Sequence, residues 1–160
     1  MNERYRSILE LADRERKKTK AIFRQLRKVK AKELDRRFRE AHEDAFAEID
    51  CLHCANCCRT VGPRFESDDI DRLAKKLRLK PAQFIDQYLR IDEEGDWVLK
   101  TVPCPFLGDD NYCSVYEDRP RACRTYPHTN QSGNHRRLAL NERNARSCPA
   151  VFLISRRLAE

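Results

Sequence analysis

Four thiols in eight residues, Cys51-Leu-His-Cys54-Ala-Asn-Cys57-Cys58, constrain this chain more than any other stretch. A Cys-x-x-Cys step lets the backbone fold back so that two sulfurs reach one ion. A second identical step brings a third sulfur to the same place. Cys57 and Cys58 are neighbours, and adjacent side chains diverge by roughly 180° in a strand and about 100° in a helix. One of the two is therefore expected to face a second site. Cys104, Cys113, Cys123 and Cys148 complete a set of eight thiols, which divides into two four-thiolate sites.

The competing roles for these cysteines are buried small hydrophobes, disulfides or a redox pair. Scattered core cysteines rarely fall at two consecutive x2 spacings. Disulfides form in oxidising compartments, and the N-terminal Met-Asn-Glu-Arg-Tyr-Arg has no apolar segment that would direct export. The expectation is a cytoplasmic metal-binding protein. No apolar run approaches the roughly 20 residues that cross a bilayer, so no membrane partner is expected.

Composition strengthens the metal reading. Charged residues make up 37% of the 160-residue chain, and the mean hydropathy is −0.83. Apolar surface for a core is limited. A structural thiolate site binds metal with an apparent free energy of roughly 10 to 16 kcal/mol, as large as a whole domain's net stability.

The net charge of +7 is unevenly spread. Residues 14 to 32 hold ten Lys or Arg against one Glu, a local +9 that leaves −2 for the rest. Such a run is either a solvated helix face or a surface for phosphate or an acidic partner. It has no aromatic interleaving and no nucleic-acid motif.

From Met1 to Val61 there is no Gly or Pro, and Glu, Lys, Arg, Ala and Leu dominate. Residues 3 to 48 are expected to be helical, with apolar steps at Ile8, Leu11, Ala12, at Ile22, Leu26, Val29, and at Leu34, Phe38, Ala41, Ala45. A break is expected near residues 14 to 20 or near 30. Ser67 reads as an N-cap for a helix carrying Ile70, Leu73, Ala74 and Leu77. Pro81 opens another at the permitted first position, with Phe84, Ile85, Tyr88 and Leu89 turned inward. Residues 91 to 102 read as a hairpin turning at Gly95, His135 to Leu140 as a further strand, and Cys148-Pro149 as the start of a last helix. A thiolate at that helix N-terminus is expected to be stabilised by the free N–H groups. The fold class is mainly helical α+β: a basic helical extension over residues 1–49, as a long helix or helical hairpin, then a metal-stapled cysteine-cluster domain over 50–160.

These blocks resemble a known family. Cys51-x2-Cys54-x2-Cys57-Cys58, Cys-Pro-Phe-Leu at 104 to 107, Cys-Ser-Val-Tyr-Glu-Asp-Arg-Pro-Arg-Ala-Cys-Arg-Thr-Tyr-Pro at 113 to 127 and the late Cys148 are similar to the YkgJ-like, or CxxCxxCC, cysteine-cluster family. The resemblance spans about residues 50 to 152. It implies a zinc- or iron-chelating domain, with a flagellin lysine methylase among its relatives. Many members carry Gly after the second cysteine, where this chain has Ala55.

Three cysteines at x2-x2 spacing plus a remote Cys-Pro also resemble the ligand pattern of bacterial ferredoxins. The expected assignment is a [4Fe-4S] cluster on Cys51, Cys54, Cys57 and either Cys104 or Cys148. The second site then takes Cys58, Cys113, Cys123 and the other Cys-Pro cysteine. Zinc is the alternative, because four-thiolate zinc sites accept the same spacings. His53, His128 and His135 are spare ligands. Arg59, Arg119, Arg121, Arg124 and Arg146 sit near cysteines, as charge balance, as donors to sulfur or as an anion pocket. Asp118 and Arg119 are expected to pair, and Tyr116 and Tyr126 to lie in the core.

No phosphate loop, nucleophile elbow or dinucleotide fingerprint is present, and no catalytic residues are identified. Two functions remain. One is an iron-sulfur oxidoreductase or protein-modification component with a redox or protein partner. The other is a zinc-stapled module whose basic helix recruits nucleic acid or an acidic partner.

Overall fold

Residues 3–48, expected to be helical, fold as three helices in the computed structural model, which describes residues 1–160. They are α1 (Glu3–Arg14), α2 (Arg16–Leu26) and α3 (Ala31–Glu48). Asn2 caps α1 by accepting the Tyr5 N–H at 3.0 Å. Breaks fall at both expected places. Glu15 leaves helical torsions (φ −89°, ψ 15°) within residues 14–20, which include no apolar side chain, and residues 27–30 turn the chain into α3.

Residues 1–54 and 127–160 form one compact unit. Its later helices are α9 (Asn134–Asn144) and α10 (Pro149–Arg157). Pro149 occupies the first turn of α10 as expected. α10 packs on α1, α2 and α3, and α9 on α2 and α3. Phe23, Leu34, Phe38, Val151, Phe152 and Ile154 are buried in this core, each contributing about 1.5–3 kcal/mol by leaving water. Arg37 donates to the Leu158 carbonyl at 2.6 Å and fastens the chain end to α3.

The segment His135 to Leu140 is helical, within α9, and not the expected strand. The residues it buries are Asn134, Leu138, Asn141 and Asn144, at steps of three and four. Three of those four are polar, so the helical stripe gave no apolar signal, while Leu138 and Leu140 imitated an alternation. Gly133 precedes the helix at φ +84° and has no side chain to cap it. Asp35 on α3 supplies the cap, accepting the N–H groups of Gly133 and Asn134, each at 2.8 Å, and Asn134 Nδ2 at 3.1 Å.

Residues 55–126 form the other compact unit. Its sheet comprises β1 (Arg64–Phe65), β2 (Leu89–Ile91) and β3 (Trp97–Leu99). All pairs are antiparallel in the order β1-β3-β2, with Leu89 opposite Leu99 and Phe65 opposite Trp97. The β2–β3 hairpin turns at Gly95 (φ +85°) as expected, but its arms lie at 89–91 and 97–99, so Leu89 belongs to β2 and not to the preceding helix. Helices α6 (Ser67–Lys76) and α7 (Pro81–Tyr88) pack on each other, and α7 on β2. The N-cap of α6 is Glu66 rather than Ser67, because Asp69 reaches back to accept the Glu66 N–H at 3.1 Å. Phe65, Ile70, Leu73, Phe84, Leu89, Leu99, Phe106 and Val115 make the core, with Leu77, Ile85 and Tyr88 half-buried at its margin. Phe84 and Phe106 stack at 6.3 Å.

The chain is 60% helical with one three-stranded sheet, a mainly helical α+β fold. No helix is long and apolar enough to cross a membrane.

Candidate metal centre

Two short helices carry the CxxCxxCC run: α4 (Cys51–Cys54) and α5 (Asn56–Thr60). Ala55 separates them in the left-handed region at φ 48°, a conformation that costs a residue with a Cβ roughly 1–2 kcal/mol. A glycine there would avoid that cost. The compact units divide between Cys54 and Ala55, so the motif gives thiols to both.

In the unit of residues 55–126, the thiols are brought together from separate segments. Cys57 and Cys58 lie on α5, and the Cys104 N–H donates to the Cys58 carbonyl at 2.7 Å. Buried Phe106 anchors the loop after Cys104 in the core. The loop closes on itself through the Leu107–Cys113 bridge and through Ser114 N–H to the Phe106 carbonyl at 2.8 Å. Cys123 lies on α8 (Arg121–Thr125), whose first N–H donates to the Asp69 carboxylate at 3.1 Å.

Asp69 is 2% exposed. It also accepts Arg72 Nη2 at 2.6 Å. Arg72 in turn donates to the carbonyls of Asp118 and Arg119, at 3.3 and 3.0 Å. The pair therefore fastens the segment between Cys113 and Cys123 to α6. The spacing Glu66-x-x-Asp69 marks a capping box in the sequence, but nothing there reveals the bonds to residues 118–121.

Cys58, Cys104, Cys113 and Cys123 lie close enough for their charges to repel. Burial first, and the neighbouring thiolates after it, push Cys104 up to about 11 and Cys123 up to about 12. Burial likewise raises Cys113. Cys58 is the exception, held down to about 7 first by its hydrogen bond with Cys57, and then by the Arg59 and Arg119 guanidinium groups. Cys58 is thus the first of the group to become a thiolate, the form that binds metal.

The vicinal pair departs from the sequence expectation. The Cys57 and Cys58 sulfurs are 4.0 Å apart and do not point to opposite sides. A helical step of about 100° leaves adjacent Cβ atoms on neighbouring faces, and χ1 rotation brings the sulfurs together.

In the unit of residues 1–54 and 127–160, Cys51 and Cys54 on α4 are neighbours of Cys148, the N-cap of α10. Backbone N–H groups of Ala150 and Val151 do favour its thiolate, as expected at a helix N-terminus. Burial outweighs them, and Cys51 and Cys54 add repulsion, so Cys148 is pushed up to about 12. The expected stabilisation by the helix N–H groups is present, but burial and the two neighbouring thiols exceed it.

None of the eight cysteines is in a disulfide. No three His, Cys, Asp or Glu side chains stand close enough round one point to coordinate an ion. The thiols are grouped as neighbours without forming a coordination polyhedron. Their chemistry nevertheless suits a thiophilic metal, since each group consists of soft sulfur donors.

The nearby side chains fall into place individually. His53 is exposed and 3.3 Å from Asp50, and His135 is exposed and meets the Arg27 carbonyl at 3.0 Å. Burial lowers His128. The expected Asp118–Arg119 pair is absent: Asp118 lies 3.8 Å from Lys76, and the Arg119 guanidinium stacks 3.4 Å from the centre of the Tyr116 ring. That stacking holds Tyr116 at the surface, 38% exposed, instead of in the core. Tyr126 is half-buried. Arg59 donates to Asn111.

Comparison with known proteins agrees with the donor set. A family model, CxxCxxCC, described as "Putative zinc- or iron-chelating domain", matches residues 50–149. Neither curated proteins nor solved structures yield a match.

Proposed function

This chain belongs to the CxxCxxCC family, and on that premise we propose that its cysteines chelate iron as iron-sulfur clusters in an electron-transferring protein. Cys51, Cys54 and Cys148 would hold iron in one unit. Cys58, Cys104, Cys113 and Cys123 would hold it in the other, with Cys57 as a further donor. Bound clusters would supply one-electron chemistry to an oxidoreductase or protein-modification partner.

The observation that carries this reading is which of the two Cys-Pro cysteines joins the x2 run. Cys148, followed by Pro149, is the neighbour of Cys51 and Cys54. Cys51-x2-Cys54 with a remote Cys-Pro supplies three of the four ligands in the order of bacterial ferredoxin clusters, while the third cysteine of the run, Cys57, lies beside Cys58 in the other unit. Arg59 and Arg119 beside Cys58 offset the negative charge that a thiolate-bound centre accumulates. Purification without air, followed by iron and acid-labile sulfide analysis and a redox titration, tests the proposal. It predicts iron and sulfide in comparable amounts and a reversible potential.

One observation favours zinc. Two sulfurs about 2.3 Å from a tetrahedral ion are about 3.8 Å apart, and the Cys57 and Cys58 sulfurs are 4.0 Å apart. On that reading, zinc only secures the fold, the protein is a binding module, and the preparation is colourless and redox-silent.

A further inference from the structure

A groove of about 400 Å³ runs between α2 and α9, inside the unit of residues 1–54 and 127–160. Its floor is made of small buried residues, Ala12, Thr19 and Ala145. Arg16, Lys17 and Lys20 from α2 line it together with Arg143 from the end of α9 and Arg146 from the turn beyond, and Glu142 is the one carboxylate among them. The lining therefore carries a formal +4.

Little neutralises these cations. Arg146 approaches Asp13 only at 4.0 Å, across two exposed side chains, and no carboxylate pairs with Arg16, Lys17, Lys20 or Arg143. Arg143 in the last turn of α9 complements the helix dipole, and Arg146 lies in the turn just beyond it. The α2 cations have no such account. Arg16 and Lys17 open their helix with no acid in its first turn, against the dipole.

The form of the groove selects its ligand. The five cations that line it, Arg16, Lys17, Lys20, Arg143 and Arg146, are all exposed. Binding rests on long, exposed side chains, which suit a repeating anion. No aromatic side chain lines the groove, so it offers no stacking for unpaired bases.

We propose that this groove binds the phosphodiester backbone of duplex nucleic acid without sequence preference. The site stands on unit-internal geometry and does not depend on which metal is held. It extends beyond the basic run of residues 14 to 32, because Arg143 and Arg146 come from the far end of the chain.

The test is fluorescence anisotropy of the full-length protein with a short labelled DNA duplex, over a range of salt concentrations. Five cations contacting phosphates predict a log K against log salt slope of about −4.5. Arg143→Gln with Arg146→Gln removes two contacts, flattening the slope by about 2 and weakening binding about tenfold or more at low salt. Both side chains are exposed, so the variant should keep the parent's melting temperature. Lys28→Gln with Lys32→Gln makes the same charge change in the basic run but outside the groove, and should affect binding less. The proposal is overturned if the parent does not bind duplex, if the Arg143/Arg146 variant binds like the parent, if the Lys28/Lys32 variant loses as much, or if anionic phosphatidylserine vesicles are preferred over the duplex.

Discussion

The Cys104 backbone N–H donates to the Cys58 carbonyl across 2.7 Å, tying the thiol-bearing helix α5 to the loop that follows β3. This bond sets two thiols side by side before any ion is considered. Both belong to the unit of residues 55–126, whereas Cys51, Cys54 and Cys148 belong to the other. If each group holds its own metal, Cys58→Ser should remove metal from one group and leave the other loaded, and Cys148→Ser should do the reverse. Metal content of each variant, measured against the parent, reads this directly. About half the parent's metal is expected in each single variant, and none in the double.

Asp69 should matter to the same centre without touching it. It is buried, accepts from Arg72 and the Arg121 N–H, and so positions the start of α8, which carries Cys123. Asp69→Ala leaves Arg72, the Arg121 N–H and the Glu66 N–H without this acceptor and should cost about 2–4 kcal/mol. A urea titration gives the loss of stability. Faster transfer of metal to a chelator would mark the link to Cys123, and an unchanged transfer rate would break it.

Much of this architecture was legible in the residues. Apolar steps at Phe38, Ala41 and Ala45 and the prolines at 81 and 149 located helices, because those signals report backbone and burial preferences that act locally. What was not legible is long-range or hidden in polar residues. Asn134, Asn141 and Asn144 sit at buried helical positions, so α9 read as a strand. Asp35 caps a helix that begins 98 or more residues later in the chain, and no local pattern announces it. The thiols were identifiable from spacing, but their division was not. Cys57 and Cys58 share a neighbourhood, and only the folded chain brings Cys148 beside Cys51 and Cys54.

The same two aspartates set the response to acid. Burial tends to raise Asp35 and Asp69, but hydrogen bonds from Gly133 and Asn134, and from Arg72, Glu66 and Arg121, hold both below the ordinary carboxylate value. A depressed folded value means that the unfolded chain binds the proton first. The stabilisation is therefore present above about pH 4 and is lost as pH falls through the folded values. The melting temperature of the parent should drop as pH falls below about 4. Asp35→Asn should lower stability at neutral pH by about 1–2 kcal/mol through the lost cap and make the acid drop shallower. An unchanged acid profile would contradict the role given to Asp35.

Removing metal should not loosen the chain evenly. In residues 55–126 the segment from Cys104 to Cys123 is largely turns, with Phe106 and Val115 as its buried anchors, while α3 and α10 bury Phe38, Phe152 and Ile154. After chelation, amide exchange should accelerate most between residues 104 and 123 and least in α3 and α10. Uniform acceleration would mean that the thiols do not fasten that segment locally.

The most direct measurement is the metal and acid-labile sulfide content of protein purified without air, read together with its visible absorption spectrum. The account predicts iron with matching sulfide and a broad visible absorption that bleaches on reduction. A colourless protein with stoichiometric zinc would contradict the iron assignment, and eight titratable thiols with no metal at all would contradict chelation itself.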